Sequence, residues 1–278
     1  LQLEGGITIA SEALTLSGGG IVVSSVDTGA LRNVSGNNTY NGNITLGDAA
    51  RINADSGTTL TLGGTVSNAG NTLTVGGAGN TALNGAISGL GGLTKDGAGT
   101  ATLGAANLYS GATTVNAGKL TVTGSIASSV ITVNNAATLE VDGAAIADTA
   151  AITLNDTSTL NLTGSETIGS LTGAAGSSVT LGANTLTTGG DNTSTIYAGT
   201  ISSTGGGLTK AGTGTFTLTQ ANSYTGATSV SAGVLNVQNA TALGTAAAGT
   251  SVTSGAALQA TATQVEALKL KFDPAYAA

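Results

Sequence analysis

One short unit recurs along the chain: an apolar residue, a Thr or other small residue, then a second apolar residue. It reads Ile-Thr-Ile from Ile7, Leu-Thr-Leu from Leu14 and Leu60, Ile-Thr-Leu from Ile44 and Leu-Thr-Val from Leu73. It returns from Leu120, Ile131, Ile152, Val179 and Phe216. Alternation with a period of two is the pattern of a half-buried strand. Gly, Asn, Asp and Ser fill the intervals, residues that turn a chain and tolerate positive φ. Runs this short exclude long hairpins and leave sandwiches, propellers and solenoids, of which internal repetition favours the last. The pattern therefore predicts an all-β chain folded as a parallel β-helix of about 20–22 residues per coil. Leu, Ile and Val would stack in inward ladders, with Thr and Ser facing water. A weaker helical pattern covers residues 256–270.

A longer repetition lies over this one. The segment GGLTKDGAGTATLGAANLYSGATTVNAGKLTV, from Gly91 to Val122, returns as GGLTKAGTGTFTLTQANSYTGATSVSAGVLNV from Gly206 to Val237, identical at 21 of 32 positions. Inward ladder positions fall on Leu93, Leu103, Val115 and Leu120, and in the second copy on Leu208, Leu218, Val230 and Leu235. Corners are expected at Gly97, Gly99, Gly111 and Gly118, matched by Gly212, Gly214, Gly226 and Gly233. Asn107 and Asn222 are expected to bond neighbouring backbone in a buried turn. Tyr109 and Tyr224 are expected to close a corner, with a ligand-stacking platform as the alternative. Lys95 and Lys210 read as salt-bridged or solvated. The copies differ at Asp96/Ala211, Ala101/Phe216 and Lys119/Val234, which favours a structural brick over a repeated binding site. Residues 1–257 are expected to form a single continuous β-helix. Leu258-Gln259 and the Glu-Ala-Leu-x-Leu from Glu266 echo Leu1-Gln2 and the same motif from Glu12, so 258–278 reads as a restart of a super-repeat, a cap or a connector. Leu1 falls in mid-pattern, as in a piece of something longer.

Composition narrows the function. The 278 residues include 45 Gly, 49 Thr, one Pro and no Cys, His, Met or Trp, with 3% aromatic and 8% charged. Few large side chains are available for a compact core, but a thin core repeated along an axis can be built from Ala, Val, Leu and Ile. A net charge of -7 with seven basic residues argues against nucleic acid and anionic membrane surfaces. Polar residues interrupt every apolar run, so no membrane insertion by this segment is expected. Without His or Cys, triad and thiol catalysis are excluded. Carboxylate catalysis needs clustered acids, and the densest run, Glu140, Asp142, Asp148 and Asp156, reads as a solvated face. The Gly-rich stretch from Gly76 lacks the Asp of a calcium-binding roll, and the Thr alternation is not confined to one strand per coil as an ice-binding face requires. No catalytic residue, metal or cofactor is expected.

The shared core of the two copies is Gly-Gly-Leu-Thr-Lys, Gly-x-Gly-Thr, Ala-Asn-x-Tyr-x-Gly and Ala-Gly-x-Leu. It resembles the autotransporter-associated β-strand repeat, also called the passenger-associated transport repeat. The flanks from Ala30, Asn84 and Thr241 look similar to the same proteins. The resemblance implies a right-handed parallel β-helix, exported as the passenger of an autotransporter to the surface of a Gram-negative-type bacterium or beyond it, and a repeat associated with efficient export. The membrane-spanning translocator barrel of that family is not in this sequence. The resulting expectation is a non-enzymatic segment of a surface or extracellular fibre or adhesin stalk, associating or continuing end to end, with room for a cell-surface or matrix partner. The alternative is an adhesive or ligand-binding passenger: a calcium-binding roll, or an ice-binding or polysaccharide-acting β-helix.

Overall fold

The computed structural model describes residues 1–23, 26–245 and 248–260. Most of the expected restart at 258–278 lies outside the described residues. The described residues form strands and turns with no helix. The strands are parallel apart from the short antiparallel pair Val22–Val23 and Val26–Asp27, and they stack as a β-solenoid. The chain divides into two compact units, Leu1–Glu140 and Val141–Ala278. Each contains one copy of the long repeat.

In the first unit a coil has three faces. The first face stacks Leu31–Asn33, the end of Ile44–Ala54, Leu73–Gly77, Leu93–Lys95, Thr113–Val115 and Val130–Val133. Its inner ladder runs Leu31, Ile52, Val75, Lys95, Val115, Val133, in register from strand to strand. The second face stacks Asn37–Tyr40, Thr59–Leu62, Asn80–Leu83, Thr100–Leu103 and Lys119–Val122, with Tyr40, Leu62, Leu83, Leu103 and Val122 in one ladder. The third face is narrower: Leu14, Ile44, Val66 and Ile87 are stacked, and Ala106–Asn107 pairs with Ser125–Ile126. Register partners lie about 20 residues apart, the interval expected for one turn of the coil.

The second unit repeats the plan. One face stacks Ser170–Gly173, Thr195–Tyr197, Thr215–Leu218, Val234–Val237 and Ala257–Gln259. Another stacks Glu166–Ile168, Thr185–Thr188, Gly207–Lys210, Thr228–Val230 and Thr250–Val252. Thr159–Leu162, Ser178–Thr180 and Thr200–Ser202 make the third.

The alternation read from the sequence is the burial pattern of these strands. In Thr59–Leu62, Thr100–Leu103 and Thr159–Leu162 each Leu or Ala is buried and each Thr or Asn is half-buried on the outer surface. β-Branched Thr suits that exposed, pleated position. Leu60, Leu83, Leu103, Leu120, Leu160 and Leu186 are fully buried. Each such side chain contributes about 1.5–3 kcal/mol by leaving water.

Candidate functional site

The two copies of the repeat build the same object. Each is longer than a coil and therefore pairs with itself. Leu93, Thr94 and Lys95 lie in register with Thr113, Thr114 and Val115, and Thr100–Leu103 with Lys119–Val122. In the second copy Leu208–Lys210 pairs with Thr228–Val230, and Thr215–Leu218 with Val234–Val237.

Lys95 and Lys210 correct the sequence reading, because neither is solvated or salt-bridged. Both side chains are among the largest fully buried ones, at 2% and 1% exposure. Each occupies an inward ladder position and carries its amine to the next corner. Lys95 Nζ donates to the carbonyls of Asp96 (2.6 Å), Gly97 (2.8 Å) and Ala117 (3.0 Å). Lys210 Nζ donates to the matching carbonyls of Ala211, Gly212 (2.8 Å) and Ala232 (3.3 Å). An ammonium has three donors and no acceptor, so the three carbonyls saturate it. Two of them lie on one coil and the third on the next, so the amine ties successive coils at the corner. Burial lowers Lys95 to about 8, opposed by the charge of Asp96 and reinforced by that of Arg51. Burial lowers Lys210 as well.

The glycines serve two different needs. Gly97 and Gly118 have φ of 69° and 63°, and Gly212 and Gly233 have 63° and 61°, the left-handed region. Gly99, Gly111, Gly214 and Gly226 have no such φ. They are glycine because the adjacent coil's backbone lies against them: a Cβ on Gly111 would stand 2.5 Å from Gly92 N, and one on Gly226 2.5 Å from Gly206 C.

Asn107 and Asn222 are buried, as expected, and reach further than one turn. Asn107 Oδ1 accepts from Ile87 N (2.9 Å) in the preceding coil, while Nδ2 donates to Ala105 O (2.7 Å) and to Ser125 O (3.0 Å) in the following one. Asn222 likewise joins Ile201 N (2.7 Å) to Ala242 O (2.6 Å). Tyr109 and Tyr224 are fully buried, and their hydroxyls pair with Thr113 Oγ1 (2.7 Å) and Thr228 Oγ1 (2.6 Å). Each pair satisfies two buried hydroxyls that occupy an apolar ladder. Burial raises both tyrosines, Tyr224 to about 12. With no ring face open, neither is a stacking platform. Leu93, Leu120, Leu208 and Leu235 are ladder residues at 0–1% exposure.

Two features lay outside the sequence reading. Glu166 is 2% exposed, in a strand that alternates Glu-Thr-Ile. Its carboxylate accepts from Ala145 N (2.8 Å) and Thr167 N (3.1 Å). Burial raises its pKa, against the pull of those bonds. The chain's two arginines also converge on the outer surface of the first unit. Arg32 binds both oxygens of Asp55 through Nε and Nη2, and Asn53 Nδ2 donates to Asp55 Oδ1 (3.1 Å). Arg51 Nη2 donates to Asn53 Oδ1 (3.2 Å), and Arg51 Nη1 to Asp96 Oδ2 (2.6 Å). Of the acidic run, Glu140 pairs with Lys119 at 3.1 Å and Asp156 sits in a turn at φ 53°. Among the described residues no group of three His, Cys, Asp or Glu is placed to hold a metal ion, and no helix is long and apolar enough to cross a membrane.

The family model of the passenger-associated transport repeat matches residues 93–122 and 208–237, the segments whose geometry recurs above. The chain thus carries two of these repeats on a parallel β-solenoid, as an autotransporter passenger with repeats does. Comparison with curated proteins and with solved structures gives no match.

Proposed function

We propose that this chain is a structural, non-enzymatic segment of an exported bacterial passenger, a stalk or fibre at or beyond the outer surface of a Gram-negative-type cell. The observation that carries this reading is the fate of the polar residues that recur. Lys95/Lys210 and Asn107/Asn222 spend their hydrogen-bonding groups on backbone, and Tyr109/Tyr224 theirs on a Thr hydroxyl, inside the coil. A site repeated for binding would leave such groups facing outward. What the repeat produces is mechanical: stacked backbone bonds, largely apolar ladders and corners tied by the buried polar side chains that interrupt them.

The same reading includes self-association or covalent continuation end to end. Among the described residues, Gln2–Leu3 pairs with Leu31–Asn33 and Ala257–Gln259 with Val234–Val237, each on one side, and an edge of that kind is a template for another strand. The echo of Leu1-Gln2 in Leu258-Gln259, with that of Glu12 in Glu266, supports a super-repeat of about 255 residues, with 1–257 as one solenoid. Electron microscopy of the native assembly tests this: rods longer than one chain support it, and compact isolated particles overturn it.

A further inference from the structure

The chain contains two Asn-Gly pairs, Asn41-Gly42 and Asn84-Gly85. Both stand at the corner that follows the second face of the first unit. Tyr40, Leu62, Leu83 and Leu103 are in register at the end of that face. Asn41, Gly63, Asn84 and Gly104 therefore follow in one column, and Gly42, Gly64 and Gly85 in the next. The glycine column is packed backbone to backbone. A Cβ on Gly64 would fall inside van der Waals contact with Gly42 O, and one on Gly85 inside contact with Gly64 O. Asn41 and Asn84, by contrast, are exposed.

Asparagines near this corner are held to the following coil. Asn37 Oδ1 accepts from Thr59 N, Asn43 Oδ1 from Thr65 N and Asn80 Oδ1 from Thr100 N, each at 3.0 Å. Among the described residues the Asn41 and Asn84 side chains make no hydrogen bond, and the amides of Gly42 and Gly85 donate to no acceptor. An unpaired backbone nitrogen thus directly follows each unpaired carboxamide, and glycine has no Cβ to crowd their approach. Such a pair can close on itself. The glycine nitrogen attacks Asn Cγ and gives up its proton, and Nδ2 leaves as ammonia, which forms a cyclic succinimide. Water then adds to either ring carbonyl and opens it to aspartate or isoaspartate. The reacting groups are neighbours in one chain, so local rotation is all the reaction requires. The two sites differ in their freedom to rotate. Gly42 is buried, and a Cβ on it would stand 3.0 Å from the Tyr40 ring. Asn41 Oδ1 lies so close over Gly63 that a Cβ there would fall inside contact with it. Gly85 is half-buried, and Asn84 Oδ1 would stand 3.5 Å from a Cβ on Gly104, an ordinary contact.

We propose that Asn84-Gly85 is a site of spontaneous deamidation in the folded chain, with Asn41-Gly42 a slower one at the same corner. Either product adds a carboxylate to the outer surface. Isoaspartate also lengthens the main chain by one carbon where coils stand in backbone contact, which loosens the corner. The test is incubation of the full chain, folded and in urea, in mildly alkaline buffer made with ¹⁸O water, followed by peptide mapping by mass spectrometry. In the folded chain a labelled aspartyl product should form at Asn84 about tenfold faster than at Asn41, and well ahead of Asn37, Asn43 and Asn80. In urea, with the corner undone, Asn41 and Asn84 should react alike. Asn84 staying intact in the folded chain while it converts in urea would overturn the proposal. So would Asn41, Asn43 or Asn80 keeping pace with Asn84 in the folded chain. The same lead of Asn84 over Asn41 in urea would also overturn it, by making the local sequence and not the corner the cause. None of these outcomes bears on whether the coil forms rods.

Discussion

At the scale of single residues, the repeat is read most sharply through the side chains that break the apolar ladder. Lys95 follows Leu93 at a spacing of two, so the alternation that marks Leu93 as inward marks Lys95 as inward too. The period places Lys95 inward against the general rule that lysines are solvated, and the structure follows the period. Glu166, two residues before Ile168, carries the same signal. What the sequence does not contain is the acceptor set: the carbonyls of Asp96, Gly97 and Ala117 converge only once the corner is closed. Replacing Lys95 by Ala should leave these carbonyls unpaired and lower stability by about 2–4 kcal/mol, measured by urea unfolding. The pH dependence has a definite sign. Lys95 in the folded chain titrates below its ordinary value, so the folded state gives up the proton first and the unfolded state binds more protons between the two values. The stability difference between the parent chain and Lys95→Met should be flat below about pH 8 and rise towards 10.5. A difference that fell over that interval would contradict the burial of this amine.

Asn107 offers a second test at this scale. Asp at this position keeps the acceptor for Ile87 N but loses the amide that donates to Ala105 and Ser125. It also sets a carboxylate against two carbonyls. Asn107→Asp should therefore unfold more easily at pH 7 than Asn107→Ala, by about 1–3 kcal/mol. Thermal scans at two pH values check it, since protonation at low pH should close part of the gap.

At the scale of elements, the strands and their inward faces were legible, because period two fixes which residues point in. The corners were legible only in part. Gly118 was expected as a turn and is one, at φ 63°. Gly111 was expected for the same reason, yet it is glycine because another coil lies against it, and no local pattern distinguishes the two cases. Gly118→Ala meets both constraints, as its Cβ would stand 2.5 Å from Gly97 O. It should cost about 2–4 kcal/mol by equilibrium unfolding, through left-handed backbone and overpacking together. The repeat's self-pairing has its own consequence. Its partner strands are only about 20 residues apart, and its corners carry the buried Lys, Asn and Tyr. Amides of Leu93–Lys95, Thr100–Leu103 and Thr113–Val115 should be among the slowest to exchange in the first unit. Hydrogen exchange read by mass spectrometry decides this, and exchange there as fast as at the Thr8–Ile9 strand would contradict it.

At the scale of the whole molecule, composition pointed to a core made thin and repeated, and the ladders of Leu, Val and Ile in both units are that core. The Arg32–Asp55–Asn53–Arg51–Asp96 network was not legible, since its members are scattered over 65 positions of sequence and meet only through the coil register. A chain held by ladders and backbone pairing should keep its melting temperature when a chelator is added; a drop of several degrees would point to a bound cation and against this account. The central claim is that the residues said twice are internal ties of the coil and not a site. The most direct measurement is competitive acylation of the folded chain at pH 8, with lysines resolved by mass spectrometry. Lys119, with 39% of its side chain exposed, should react freely. Lys95 should react slower by roughly a hundredfold or more, although burial leaves a larger fraction of its amine unprotonated at pH 8 than in an ordinary lysine, and Lys210 should be protected alike. Lys95 and Lys210 reacting as fast as Lys119 would contradict the account.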